Sequence, residues 1–208
     1  MRIGVLGTGT MAKALGTGWL RAGHEVTVGG RSRDRAEEVA RALGERAGAA
    51  SPAEAVAGRD AVLLAVGWEG MEPALRSAGA HEGSLAGVPV LDPTNAVEHG
   101  TGVLLPGGSA AGRVAELAPG ARVVKAFHLF PAAFWERPAE QNSEVTVAVC
   151  GDDLDALRTS GRLVADLGAT QAVLGPLARA RQLEEAAGFL MGLALSGVDP
   201  HAAVPSLG

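Results

Sequence analysis

The chain has 208 residues, 47% of them hydrophobic and 20% charged, with a net charge of −5. That composition supplies a sizeable core for one domain, or one domain with a small appendage, and is too apolar for a disordered chain. No run of Lys or Arg stands out, which argues against nucleic acid and anionic membrane surfaces as partners, and no apolar stretch reaches membrane-spanning length.

Ile3 to Leu6 reads as a buried strand that begins almost at Met1, leaving no room for a signal peptide. It stops at Gly7, and Gly7-Thr8-Gly9-Thr10-Met11-Ala12 runs into an apolar-periodic helix over Thr10 to Arg21, closed by Ala22-Gly23. Strand, Gly-x-Gly-x-x-Ala, helix is the dinucleotide-binding fingerprint. Gly7 allows the tight turn, Gly9 lets a pyrophosphate approach the backbone, and Ala12 keeps the helix against the sheet. The helix start then offers free N–H groups and the positive end of its dipole to the phosphates.

Strand two, Glu25 to Val28, ends in Gly29-Gly30-Arg31-Ser32-Arg33, with Arg35 a turn further. The carboxylate that grips the ribose 2′-hydroxyl of NAD is missing there. Guanidinium and hydroxyl donors stand in its place, and these suit a 2′-phosphate, so NADP(H) is the expected nucleotide.

A helix over Asp34 to Leu43 follows, then a capping-box start at Ser51-Pro52-Ala53-Glu54. Asp60 to Val66 is an apolar strand that delivers Gly67-Trp68-Glu69 to the carboxyl edge of the sheet. Helix Glu72 to Ala78 leads to strand Val88 to Leu91 and the polar turn Asp92-Pro93-Thr94-Asn95. Helix Ala110 to Leu117 and strand Arg122 to Phe127 complete a repeating βα pattern, which predicts a doubly wound Rossmann sheet. Trp68, Pro93, Asn95 and His128 all follow strands and are expected together at the carboxyl edge, where such folds bind ligands.

The remainder adds strand Val145 to Val149, helix Leu154 to Leu167 after Cys150-Gly151-Asp152-Asp153, strand Ala169 to Leu174, and a final helix opened by Gly175-Pro176-Leu177. Pro176 fits the first helical position, which would leave the N–H groups after it free. Arg181 and Glu184, one turn apart, are expected to pair. Between Leu183 and Leu195 the helix is apolar nearly all round apart from Glu184 and Glu185, so it should be buried, against its own sheet or in a homodimer. Gly188 and Gly192 would allow a close approach there. The division expected is a nucleotide-binding domain over 1–144 and an α/β extension over 145–208 that completes the second pocket and carries the dimer contact.

Some chemistry is excluded. The single cysteine, Cys150, allows no internal disulfide and no Cys cluster, and suits a reducing compartment such as the cytoplasm. The five histidines, His24, His81, His99, His128 and His201, form no i, i+4 pair, so no metal site is expected. There is no tyrosine, which removes the short-chain dehydrogenases with their tyrosine acid.

Gly-Thr-Gly-Thr-Met-Ala, the Gly-Arg-Ser turn, Val123-Val124-Lys125-Ala126-Phe127-His128, Cys150-Gly151-Asp152-Asp153 and Gly175-Pro176-Leu177-x-x-Ala180-Arg181-x-x-Glu184 resemble, in order and over nearly the whole chain, NADP-dependent reductases of the deazaflavin coenzyme F-420. The resemblance implies hydride transfer between nicotinamide C4 and deazaflavin C5, with side chains supplying placement, charge and exclusion of water. It places NADP(H) on Gly7, Thr8, Gly9, Thr10, Met11, Ala12, Gly30, Arg31, Ser32, Arg35, Val66, Trp68 and Asn95. It places the second substrate on Pro93, His128, Gly175, Pro176 and Leu177, with His128 as an electrostatic and positioning group. Where family members carry Asn or Thr after Lys-Ala-Phe, this chain has His128. Two alternatives stand beside this reading. One is an NADPH-dependent reductase of a small imine or carbonyl, similar to pyrroline-5-carboxylate reductases, although the stretch after Phe127 is short for their helical dimerisation domain. The other is an NADP sensor without turnover. Reductase domains of this type also occur in membrane metalloreductases, whose membrane half is not expected here.

Overall fold

The computed structural model describes residues 1–98 and 101–203, and His99 lies outside them. Strand β1 (Arg2–Leu6) is followed by helix α1 (Thr10–Arg21), β2 (Glu25–Gly29), α2 (Arg33–Leu43) and β3 (Ala47–Ala50). Next come α3 (Pro52–Val56), β4 (Ala61–Leu64), α4 (Trp68–Ser77), β5 (Pro89–Asp92), α5 (Ala110–Leu117) and β6 (Arg122–Lys125). The six strands are all parallel and lie in the order β3-β2-β1-β4-β5-β6, so the chain reverses its winding at β1, between β2 and β4. This is the Rossmann order, and its ligand crevice opens at that reversal.

The extension adds β7 (Thr146–Gly151), α6 (Leu154–Ala165), β8 (Thr170–Val173) and, after a 3-10 turn at Leu177–Arg179, α7 (Ala180–Leu195). It continues the same sheet, but β7 runs antiparallel to β6, with Val124 opposite Gly151 and Lys125 opposite Cys150. β8 is parallel to β7. Both therefore run toward the start of β6, with Gly151 reaching the level of Val124 and Val173 that of Val149.

Two apolar layers sandwich the sheet. One gathers Trp19 of α1, Val39 of α2, Leu163 of α6 and Trp135; the other gathers Val56 of α3, Met71 of α4, Val114 of α5 and Leu183 of α7. Trp19 is fully buried, and its indole N–H donates to Leu163 O at 2.9 Å, which ties the first helix to the extension. A buried side chain of that size contributes on the order of 3 kcal/mol and tolerates burial because its one polar atom is satisfied.

Helix α7 is buried only in its first half. Leu183, Glu184, Ala187 and Gly188 are covered, whereas Phe189 and Leu195 stand 55% and 60% exposed. Gly188 and Gly192 pack on the chain's own loop: a Cβ at Gly102 would lie 2.9 Å from Gly188 O and 3.0 Å from Gly192 N. Their close approach is thus intramolecular. Among the described residues no helix is long and apolar enough to cross a membrane.

Candidate active site

The carboxyl edges of β1, β2 and β4 open on a cavity of about 680 Å³. Gly7, Thr8 and Gly9 form one wall; Gly30, Arg31, Ser32 and Arg35 form another; Val66, Gly67, Glu69 and Pro73 close the third, and Pro52 lies at one end. Of the residues expected to hold the nucleotide, Gly7, Thr8, Gly9, Gly30, Arg31, Ser32, Arg35 and Val66 are brought together here. Ala12 is fully buried between α1 and the sheet. Thr10 and Met11 sit in the first turn of α1, and Trp68 opens α4 against the apolar layer beneath it. Asn95 lies further along the edge, with its Nδ2 donating to His128 O at 2.9 Å.

The glycines divide their work as the fingerprint requires. Gly7 has φ 127°, and a Cβ there would lie 2.1 Å from Ala65 O, so the turn is both left-handed and jammed against β4. At Gly9 nothing stands within 4 Å of where a Cβ would be. The space beside it is open on the cavity side.

Helix caps single out the same place. α2, α3, α5 and α6 are capped by Ser32, Ser51, Ser109 and Asp153, whose side chains accept backbone N–H groups. α1, α4 and α7 begin with no side-chain cap; α7 continues the 3-10 turn before it, whereas α1 and α4 begin at Gly9 and Gly67, which both line the cavity. Two uncapped helix starts facing one cavity leave N–H donors and positive dipole ends for an anion with several phosphates. A dinucleotide fits this set. Ser32 has a structural duty as well, since its Oγ accepts Arg35 N at 3.3 Å, which leaves its hydroxyl hydrogen to donate. Arg33 is occupied with Glu37 at 2.9 Å, whereas Arg31 and Arg35 are exposed at the cavity rim.

Beneath the edge lies a charged network absent from the expected site. Lys125, at the end of β6, is fully buried between Asp92 (3.0 Å) and Glu184 (2.9 Å), both also fully buried. Its ammonium also donates to Thr94 O. Thr94 Oγ1 donates to Val66 O at 3.0 Å, so the network reaches the cavity wall. Glu184 accepts Ala110 N at 2.9 Å, at the start of α5, where the helix dipole favours its negative charge. Glu184 therefore does not pair with Arg181, which instead meets Glu185 at 3.0 Å and Gly108 O at 2.9 Å. The signal in the sequence is a lone lysine within an apolar strand.

His128 follows Phe127, whose φ of 65° is the only positive value at a non-glycine residue among those described. Trp19 and Trp135 hold that ring edge-on at 6.1 and 5.3 Å. A bulky residue there costs about 1–3 kcal/mol and persists because its surroundings fix it. His128 is 6% exposed; among the described residues neither of its ring nitrogens, nor Asn95 Oδ1, has a hydrogen-bond partner. Burial, helped by the Lys125 charge, pushes its pKa down to about 3. The ring is neutral at physiological pH, so it can donate one N–H and accept at the other nitrogen.

A stability signature follows. Unfolded, His128 takes a proton near pH 6.5; folded, only near 3. Between those values the unfolded state holds the extra proton, so stability falls as pH is lowered, by up to about 1.4 kcal/mol per unit. Denaturant unfolding at pH 6.5 and 5.5 should show His128→Leu losing about 1 kcal/mol less than wild type over that unit. Equal losses would contradict a buried, unpartnered imidazole.

The structure separates the expected second-substrate residues. Pro93 and His128 follow β5 and β6 at the crevice edge. Gly175, Pro176 and Leu177 instead follow β8, separated from β6 by β7, where Gly151 N, level with Val124, donates to Gly175 O at 3.1 Å. Pro176 precedes a 3-10 turn instead of opening the helix, and Leu177 N–H is taken by Asp152 Oδ1 at 2.8 Å. Asp153 alone caps α6.

Comparison with known proteins agrees with this geometry. A protein from Arthrobacter sp. FB24, provisionally named an F420-dependent NADP-reductase, superposes with a TM-score of 0.78 at 28% identity, covering 95% of this chain and 96% of that one. A reductive aminase from Aspergillus terreus, solved with NADPH4, cyclohexanone and allyl amine, shares the fold at a TM-score of 0.68 and 23% identity, over 94% of this chain and 62% of its own. Rat metalloreductase STEAP3 is 31% identical over 184 residues, which is 88% of this chain and 36% of that protein. The chain thus spans about a third of the length of that curated relative. Residues 2–96, from β1 through the turn after β5, match the family model described as NADP oxidoreductase, coenzyme F420-dependent. Over residues 2–96 the chain thus matches that family of NADP-dependent oxidoreductases, and over nearly its whole length it is similar to the Arthrobacter protein.

Proposed function

We propose that the protein transfers hydride between NADP(H) and the deazaflavin coenzyme F-420, in the cytoplasm. The observation that carries the nucleotide half is the cavity with two uncapped helix starts and Arg31, Ser32 and Arg35 where an NAD enzyme would carry an acid. In this reading Gly7, Thr8, Gly9 and the first turn of α1 hold the pyrophosphate. Arg31, Ser32 and Arg35 hold the 2′-phosphate, and Val66, Trp68 and Asn95 border the nicotinamide. Pro93 and His128 face the second substrate, and Gly175, Pro176 and Leu177 act only through α7, whose start they set. The two bound cofactors would supply the hydride chemistry. The chain supplies placement, exclusion of water and the unpartnered polar atoms of Asn95 and His128, which would steady charge gathering on the acceptor ring. A neutral His128 is a weak proton source, which favours ring-to-ring hydride transfer over reduction of an imine or carbonyl, where the substrate heteroatom must be protonated. The second half of α7, where Phe189 and Leu195 are exposed, would carry a homodimer contact.

The direct test is to mix NADPH, oxidised F-420 and protein and follow the deazaflavin absorbance. Bleaching at enzymatic rates is expected. No bleaching by a protein that binds NADPH would point to the imine reductase alternative. Two variants locate the roles. Arg31→Ala should weaken NADPH at least about tenfold and NADH hardly at all, a loss of about 1.4 kcal/mol or more; equal losses would show that it does not read the phosphate. His128→Ala should keep NADPH affinity and lower turnover with F-420 by roughly 10- to 100-fold, partly restored in His128→Asn. Wild-type turnover in His128→Ala would make this histidine structural.

A further inference from the structure

The carboxyl ends of β4, β5 and β6 are stitched together by side chains of the turn after β5. Thr94, 6% exposed, has every polar group engaged. Its N–H donates to Asp92 Oδ1 at 2.9 Å, its carbonyl accepts from the Lys125 ammonium, and its hydroxyl donates to Val66 O at 3.0 Å. Asn95 continues the line to β6, with Nδ2 on His128 O at 2.9 Å. Lys125 is itself anchored by Asp92 and Glu184, so the backbone of Thr94 is clamped on both sides of its side chain. A β-branched side chain on a clamped backbone has little freedom to swing.

What Thr94 holds is a wall of the cavity. Val66 lies past the residues of β4 that pair with β1 and β5, where the ladder has ended. Its side chain stands over the fingerprint turn, since a Cβ at Gly7 would lie 3.2 Å from Val66 Cγ1. Ala65, Val66 and Gly67 line the cavity, whereas Thr94 is outside its lining. One turn therefore ties the nucleotide wall at Val66 to Asn95 and, through it, to His128.

We propose that Thr94 is a positioning residue for hydride transfer: through Val66 it fixes the wall on which the nicotinamide rests relative to Asn95 and His128, and so sets the gap the hydride crosses. The hydride leaves nicotinamide C4, which is oxidised, and bonds to deazaflavin C5; the reduced ring takes its balancing proton from water. Thr94 touches neither ring and moves no proton. A misplacement of about 1 Å can cost about 100-fold in rate, so one hydrogen bond at this place matters more to turnover than to affinity. This inference rests on the function proposed above.

The experiment compares Thr94→Val, which keeps the shape and removes the donor, with Thr94→Ser, which keeps the donor. Three readings are taken on the full chain: NADPH affinity by calorimetry, the fluorescence lifetime of the bound reduced nicotinamide, and the single-turnover rate with oxidised F-420. Thr94→Val is expected to bind NADPH within about twofold of wild type, because the phosphate contacts are untouched. Its nicotinamide lifetime should shorten toward that of free NADPH, and its single-turnover rate should fall roughly 10- to 100-fold. Thr94→Ser should return both most of the way. Thr94→Ala, whose smaller side chain leaves Val66 O room for a water, should behave as Thr94→Val does and stands in for it if the valine prevents folding. A lower melting temperature with lifetime and rate unchanged would make the hydroxyl purely structural and overturn the proposal, as would a rate loss that Thr94→Ser does not restore. A wild type that binds NADPH but never reduces F-420 would sink the F-420 reading, and the lifetime comparison would still decide the positioning. A wild type that binds no NADPH would overturn both.

Discussion

Lys125→Met is expected to cost about 3–5 kcal/mol of folding free energy, a large share of the stability of a domain this size. The reason is what the substitution leaves behind. Asp92 and Glu184 are both fully buried, 3.0 and 2.9 Å from the same ammonium, and methionine fills the volume without supplying charge. Two carboxylates would then face each other out of water, helped only by Thr94 N on Asp92 and the amides of Ala96, Ala110 and Ala111 on Glu184. Neutralising the whole network should be far milder, because buried ionic clusters replaced by uncharged groups of similar size are often nearly neutral in stability. Lys125→Met/Asp92→Asn/Glu184→Gln should accordingly recover more than half of the loss in denaturant unfolding. A Lys125→Met protein within about 1 kcal/mol of wild type would show that the ammonium is not what holds these carboxylates.

Gly7→Ala and Gly9→Ala should fail in different ways. At Gly7 the methyl would meet Ala65 O at 2.1 Å on a backbone with φ 127°. Strain of about 1–3 kcal/mol and forced separation of β1 from β4 add together, so both stability and nucleotide affinity should fall steeply. At Gly9 the methyl has open space and no strained φ, so the melting temperature should stay close to wild type. It would nevertheless occupy the face on which phosphates approach the start of α1, and NADPH affinity should drop at least about tenfold. Calorimetry and thermal unfolding on the two variants make the comparison. A Gly9→Ala protein with unchanged affinity would place the pyrophosphate elsewhere.

These contrasts also show which parts of the molecule could be read from its letters. Helices α1 and α5 begin and end where their periodicity and caps place them, because local residues set those boundaries. That Gly7, Gly9, Gly30 and Arg31 meet at one crevice was legible for a similar reason: a tight turn, a helix start and a missing acid are all local facts. Strand β3 was not legible. Ala47-Gly48-Ala49-Ala50 has no β-branched or aromatic residue, and only pairing with β2 makes it a strand. Helix α4 starts at Trp68, earlier than Pro73 suggests, since Pro73 is accommodated within the helix and presents its ring to the cavity wall.

The direction of β7 was hidden as well. An alternating strand reads the same parallel or antiparallel, and that single choice makes the chain after β8 run away from the carboxyl edge of β6. The partnership of Lys125 with Glu184 is tertiary, joining the end of β6 to a helix the sequence pattern could only call apolar. Gly188 and Gly192 show the same limit, because small residues announce a close approach without naming the partner, which here is Gly102.

The most direct measurement on the central claim is isotope transfer. NADPH carrying deuterium at the transferable C4 position is incubated with oxidised F-420 and the protein in ordinary water, and the reduced deazaflavin is examined by mass spectrometry and NMR. Direct transfer between two rings held at the carboxyl edge predicts one deuterium at deazaflavin C5 per turnover, with no label lost to solvent. Reduced deazaflavin without deuterium, or no reduced deazaflavin from a protein that binds NADPH, would contradict the account.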